Sequence, residues 1–235
     1  MTTVDVSVII PTVNESENIS PLLFDLHAGL ARNGLSHEVI VVDDDSEDDT
    51  ATLVQQMAAE NSSIHLLSRP GRRGIGSAIF EGFLRSTGRV IVTMDADFSH
   101  PPEAVLTLVD AMEQYDVAVG SRYMPGGKMN APLSRRLLSR LLNKVLRVLL
   151  NLTVHDCTGG FIALKRTVFD AIGEITATSG DFSFEIIYKS TKAGFTVTEI
   201  PFVYHWRTTG KSKTSVLKFG WTYLHSAFAL KLHTL

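Results

Sequence analysis

Apolar and polar positions in the first 120 residues alternate between short β-branched runs and longer stretches of helical spacing. "VDVSVII" (4–10) ends at Pro11 and predicts a first strand. "SENISPLLFDLHAGLARNG" carries apolar residues at helical intervals and stops at Gly34, so it predicts a helix. "HEVIVVDD" (37–44) predicts a second strand. "SEDDTATLVQQMAAE" predicts a helix with a serine N-cap and early acids that suit the helix dipole. "SIHLLS" (63–68) is a third strand, 74–87 a helix, and "RVIVTMDAD" a fourth strand running to Asp97. "PPEAVLTLVDAMEQ" opens a helix on proline, and "YDVAVGSR" is a fifth strand. This alternation predicts an α/β fold with a mainly parallel sheet wound by helices on both faces.

The second half is less regular. A helix is predicted over 135–152, where "RRLLSRLLNKVLRVLLNL" sets Arg136, Arg140, Asn143, Lys144 and Arg147 on one face. Leu138, Leu141, Leu142, Val145, Leu149 and Leu152 lie largely on the other. The loop "VHDCTGGF", a strand–helix stretch "FIALKRTVFDAIGE" and a helix near 181–193 follow. "FTVTEIPFVYHWR" is one strand or a broken pair, and an apolar, basic helix comes last. No repeat or linker divides the 235 residues, so one domain is expected.

Composition adds exclusions. Net charge is −3, which gives no reason to expect nucleic acid as a partner. The lone Cys157 cannot form an internal disulfide. Asp5, Glu15 and Glu17 near the start argue against a signal peptide. No uncharged apolar run reaches the ~18 residues of a membrane span. The charge is unevenly sorted, however. "DDDSEDD" (43–49) holds six acids, 135–152 holds five basic residues and no acid, and no acid follows Glu199. A basic amphipathic helix can lie in the headgroup plane, so a peripheral place on a cytosolic membrane face is expected.

The strand ends carry the chemistry. They read "PTVNE", "VDDDS", "MDAD" and "GSRY", so acids collect where open α/β sheets bind ligands. Converging carboxylates repel unless a cation sits among them. Hard oxygen ligands select Mg²⁺ or Mn²⁺, and such ions are commonly shared with substrate phosphates. Asp95 and Asp97 are therefore the metal candidates. The first strand–helix turn lacks the glycines of a dinucleotide site, and neither a P-loop nor a G-x-S-x-G elbow occurs. His100, His155 and His205 read as packing or hydrogen-bonding residues rather than zinc ligands.

Together, "SVIIPTVNESENI", "EVIVVDDDSEDDT", "GIGSAIFEGF", "VTMDADFSHPPE", "VGSRYMPGG" and "TGGFIALKR" resemble family 2 glycosyltransferases of the GT-A fold, above all the dolichol-phosphate mannose synthases. The resemblance runs from Val4 to about Lys213. It implies a donor part near 1–122 and an acceptor and membrane-facing part near 123–235. It implies that Pro11, Glu15, Val42 and Asp44 hold the nucleoside, and that Asp95, Ala96 and Asp97 meet the metal–diphosphate. Arg122 would face the donor, and Asp97 and Arg122 would be the catalytic pair. Arg207 and Lys213 would reach the diphosphate or acceptor phosphate, with Arg135 and Ser139 on the acceptor side. Three departures stand out. Val13 replaces a tyrosine, Ser99 replaces a glutamine that assists the metal and would join Asp95 and Asp97 as a shorter, weaker ligand, and Gly159 replaces a serine.

The activity so implied is inverting transfer of mannose from GDP-mannose to a polyprenyl (dolichyl-type) monophosphate with Mg²⁺ or Mn²⁺. A small membrane-anchoring subunit is an implied partner. Alternatives are a UDP-glucose donor, a saccharide acceptor, or a non-catalytic nucleotide-sugar-binding subunit. Simpler roles also stand beside the site assignments: helix caps for Glu15 and Asp44, solvated charges for Arg207 and Lys213, and a turn cap for Asp156.

Overall fold

The computed structural model describes residues 3–71, 74–206 and 216–233, the last span without the side chains of 216–219 and 233. The first half follows the predicted alternation: β1 (Val6–Thr12), α1 (Ile19–Arg32), β2 (His37–Asp43), α2 (Thr50–Glu60), β3 (Ile64–Ser68), α3 (Ile75–Arg85), β4 (Val90–Thr93), α4 (Ala104–Ala111) and β5 (Val117–Ser121). Then come β6 (Lys128–Asn130), α5 (Leu133–Leu150), β7 (Ile162–Lys165), α6 (Arg166–Ile172), α7 (Phe182–Lys192), β8 (Val197–Pro201), β9 (Val203–His205) and α8 (Val216–His233).

Seven strands form one sheet in the order β3-β2-β1-β4-β7-β5-β8, and β6 pairs with β9 in a separate ribbon. All pairings in the large sheet are parallel except those of β7, which runs antiparallel to both β4 and β5. Successive strand residues face opposite sides of a sheet. Ile9, Ile40 and Val42 accordingly pack on one side with Ala78, Ile79 and Phe83 of α3 and Phe184 of α7. Val8, Ile10, Val39 and Val41 pack on the other with Leu22, Leu23 and Leu26 of α1. Both faces are covered, which explains the nearly unbroken apolar runs of β1 and β2. A Cβ on Gly82 would lie 2.3 Å from Ile9 Cγ2, so glycine is what lets α3 settle so close to β1.

Several boundaries differ from the sequence expectation. The fourth strand stops at Thr93, so Asp95 and Asp97 sit in the loop beyond it. Phe98 adopts a φ of 58° there, and the imidazole of His100 accepts the Asp95 N–H at 3.0 Å, which turns the backbone out of the sheet. Ser46 is not an N-cap. Asp49 occupies that place, while Ser46 donates its hydroxyl and its N–H to Asp43. "FTVTEIPFVYHWR" is the broken pair. β8 joins the main sheet, buried Phe202 breaks the run, and β9 pairs with β6, a strand the apolar pattern did not announce.

Helix α5 departs furthest. Its core-facing side is Leu142, Leu146, Leu149 and Leu150, joined by Asn143, which is buried rather than set among the cations. A second apolar stripe lies in the open, with Leu137 57% and Val148 74% exposed and Leu133 and Leu141 between them in exposure. Arg140 and Lys144 are exposed alongside it. On α8, Trp221 is 76% exposed, and Phe228 and Leu232 are also open. No helix among the described residues is long and apolar enough to cross a membrane.

Candidate active site

β1 leads to β2 on one side of the sheet, whereas β4 lies on its other side. The strand order therefore reverses between β1 and β4, where open α/β sheets leave a crevice at their carboxyl ends. A cavity of about 580 Å³ opens there. Its strand-end wall includes Pro11 and the polar side chains of Thr12, Glu15, Asp44, Asp95, Asp97, Arg122 and Thr158. Leu138, Leu141, Leu142 and Val145 of α5 and Leu224 of α8 give it an apolar wall.

Of the residues expected here from sequence, Pro11, Glu15, Asp44, Asp95, Ala96, Asp97, Arg122, Arg135 and Ser139 all line this cavity. Val42 does not. Its side chain is fully buried in the core beneath α3, packed with Ala78 rather than reaching the cavity surface. Ser99 is also absent from the wall and fully buried. Its N–H donates to Asp97 Oδ1 at 3.1 Å, and its Oγ has no hydrogen-bond partner among the described residues. Arg207 and Lys213 lie outside the described residues.

The loop bearing Asp95 and Asp97 rests on His100. That ring is fully buried and stacks on Phe161 with centroids 4.7 Å apart. Burial pushes its pKa down to about 4 against the opposing pull of Asp97, so the imidazole is neutral near pH 7. Its Nδ1 accepts from Asp95, which places the proton on Nε2. Burial also raises the pKa of Tyr204, with Asp95 and Asp97 adding to the effect.

Asp44 is held by a residue that sequence reading missed. Arg69 is buried and directs Nη2 (2.5 Å) and Nε (3.1 Å) at Asp44 Oδ1. Gly74 N–H donates to Oδ2 at 2.8 Å. Gly74 has a φ of 94°, and a Cβ there would sit 2.2 Å from the Thr178 carbonyl oxygen, so this position demands glycine. The only sequence signal for Arg69 was a charge at the end of an apolar strand.

Arg122 is held just as firmly. Its Nε and Nη2 form a fork on Asp156, both at 2.7 Å, and its backbone N–H reaches the same carboxylate at 2.9 Å. Burial alone would weaken the guanidinium charge, but Asp156 overrides it and raises the pKa. Asp156 is thus the partner of Arg122 and more than a turn cap. Glu199 of β8 fixes the same turn by accepting from the N–H groups of His155 and Asp156. On the α5 side, Tyr123 donates to Ser139 at 2.6 Å, and Arg135 stacks over Trp206 at 4.7 Å.

Two carboxylates facing one cavity suit a divalent cation that takes its remaining ligands from phosphate and water. Ser99, buried and absent from the cavity wall, is not placed to join the two carboxylates as a ligand. No group of three His, Cys, Asp or Glu side chains able to hold a metal occurs among the described residues, so the phosphates would have to complete the shell.

Residues 7–173 match the model of glycosyl transferase family 2. The chain is 38% identical over 216 residues to the polyprenol monophosphomannose synthase of Mycolicibacterium smegmatis, covering 88% of this chain and 80% of that protein. It is 37% identical over 212 residues to the dolichol-phosphate mannosyltransferase of Pyrococcus furiosus, spanning 88% of this chain but 58% of that longer protein. A structure of glucosyl-3-phosphoglycerate synthase from Mycobacterium tuberculosis in complex with Mn²⁺, UDP-glucose and phosphoglyceric acid superposes with a TM-score of 0.74. It covers 97% of this chain and 79% of that one at 19% identity, a likeness of fold. The family match over most of the chain, on a GT-A-like sheet with its acids at the strand ends, shows that this protein is a glycosyltransferase and belongs to glycosyl transferase family 2.

Proposed function

We propose that the protein transfers mannose from GDP-mannose to a polyprenyl monophosphate, with inversion and with Mg²⁺ or Mn²⁺. The observation that carries this reading is the two-sided cavity, in which strand-end carboxylates share one space with the leucines of α5. A nucleotide-sugar needs the first wall and an isoprenoid phosphate the second. The names of the relatives point the same way. Residues up to about 122 would serve the donor and those beyond it the acceptor, within one domain.

An acceptor phosphate oxygen attacks C1 of the sugar as the bond from C1 to the diphosphate oxygen breaks. The electron pair leaves with GDP. A phosphate is already anionic near neutral pH, so no side chain need remove a proton, and none is assigned as general base. Asp95 and Asp97 would hold the cation, which supplies positive charge against the leaving diphosphate. Arg135 and Ser139 stand on the α5 side, where the acceptor phosphate would be received. The decisive experiment is sugar transfer from radiolabelled GDP-mannose to a short polyprenyl phosphate. Absence of lipid product with active, folded protein would defeat the reading.

The donor base is assigned to Asp44. Arg69 grips one of its oxygens and the Gly74 N–H the other, which fixes the orientation of the carboxylate at the cavity wall. Its negative charge favours the donor edge of guanine, where N1–H and the exocyclic amine stand side by side, a pair of donors that uracil lacks. Calorimetry with Mn²⁺ should therefore show GDP binding more tightly than UDP. The reverse order would move the enzyme to a uridine donor.

The lipid acceptor keeps its tail in the bilayer, so the cavity must meet a membrane surface. The open stripe of α5, its flanking cations and Trp221 of α8 form the surface proposed for this contact. Each cation near an anionic leaflet contributes about 1 kcal/mol. Sedimentation with anionic vesicles should fall with salt and in Arg140→Glu/Arg147→Glu. Binding that ignores both would reassign the stripe to a protein partner.

A further inference from the structure

Asn143 projects from α5 into the loop that carries Asp156, and it is 2% exposed. Its Oδ1 accepts the Cys157 N–H at 2.7 Å. Its Nδ2 donates to Thr158 Oγ1 at 2.9 Å and to the Ser139 carbonyl at 2.9 Å. Thr158 Oγ1 accepts a second bond, from Arg122 Nη2 at 3.2 Å. A hydroxyl has two lone pairs and one proton. Both lone pairs of Thr158 are taken by donors that cannot accept in return: Arg122 is a charged guanidinium, and the Asn143 amide faces it through nitrogen. The hydroxyl proton is left over, and no acceptor meets it among the described residues. Thr158 lines the cavity.

We propose that Asn143 and Arg122 fix the Thr158 hydroxyl as a hydrogen-bond donor into the cavity, directed at an anionic phosphoryl oxygen of a substrate. Thr158 touches the ligand. Asn143 acts through it and is a positioning residue. The inference rests on the phosphate-handling role of the cavity and adds a neutral donor to it. The loop is stitched to α5 by Asn143 and to β8 by Glu199, so the hydroxyl is held from both sides before any ligand arrives. Such preorganised donors are most effective where water is excluded.

The test uses the full chain with Mn²⁺ and two inorganic probes, pyrophosphate for the donor's diphosphate and phosphate for the acceptor's headgroup. Affinity is measured by calorimetry for the parent protein, Thr158→Val, Thr158→Ser and Asn143→Leu, each with its melting temperature. Thr158→Val should bind one probe about tenfold or more weakly, as expected for losing a bond to a charged group. Thr158→Ser, which keeps the hydroxyl, should match the parent. The probe affected identifies which phosphate is contacted. Asn143→Leu should reproduce the loss, and the double variant with Thr158→Val should lose no more than either alone. Unchanged affinity for both probes in Thr158→Val, equal losses in Thr158→Ser, or no binding by the parent would each overturn the proposal. If Asn143→Leu fails to fold, the valine–serine pair still decides it. Sugar transfer is assayed separately, so a failure of the proposed reaction is distinguishable from a failure of this contact.

Discussion

Asp97→Ala is expected to lose about hundredfold or more in transfer rate, the scale seen when a group that stabilises transition-state charge is removed. Asp97 lies in the cavity wall, 9% exposed, on the loop that follows β4. In the proposed reaction the leaving diphosphate gains negative charge as the sugar bond breaks, and a cation held there would stabilise it most when that charge is greatest. Asp97→Asn is the sharper variant, because it can still accept the Ser99 N–H while losing the charge. Both should weaken Mn²⁺ binding in the presence of GDP, measured by electron paramagnetic resonance. Chelation with EDTA should abolish transfer, and Mn²⁺ should restore it. Wild-type turnover in either variant, or full activity in EDTA, would end the metal assignment.

The other large effect belongs to Asp156, and it should appear first as stability. Asp156→Ala leaves the Arg122 guanidinium buried without its counter-charge. Removing one partner of a buried pair costs about 3–5 kcal/mol, and here three hydrogen bonds to Arg122 go with it. The denaturant midpoint should fall markedly, as read by urea titration. Arg122→Met/Asp156→Leu should recover much of that stability, since an apolar pair of similar size avoids the desolvation of both charges. It should remain inactive if Arg122 serves the donor. Recovery of turnover along with stability would show that the pair only holds the fold together.

The sheet was legible because β-branched runs and helical periodicity separate cleanly between Val6 and Ser121. The acids at its strand ends could be read for the same reason: once the strands are placed, their carboxyl ends follow. What escaped detection depends on contacts distant in sequence. Nothing near Asp156 announces Arg122, 34 residues away. Nothing near Arg69 announces Asp44, 25 residues back. Val42 shares a strand face with Asp44, but it lies one pleat deeper, and its side chain is covered by the core beside α3. The helical pattern of α5 was read as one apolar face against one basic face. The helix in fact divides its leucines between the core and the open surface, and it buries Asn143 because a polar loop needs that amide. A hydrophobic pattern reports that a residue is apolar, but not which of two apolar surroundings it will meet.

The antiparallel strand β7 has a consequence for how the chain reaches this state. It lies between β4 and β5, strands that precede it by 40 residues or more, and it alone joins them. Until residue 165 has left the ribosome, the β1–β4 portion and β5 present facing edges with nothing between them. Unpaired edges of apolar strands invite association between chains. A chain stopped near Arg122, at the end of the strand-end acids, should therefore be prone to aggregation rather than yield a small nucleotide-binding module. The late insertion also raises the mean sequence separation of contacts, which slows folding. Synthesis past β7 is the step that makes the two halves of the sheet a single body.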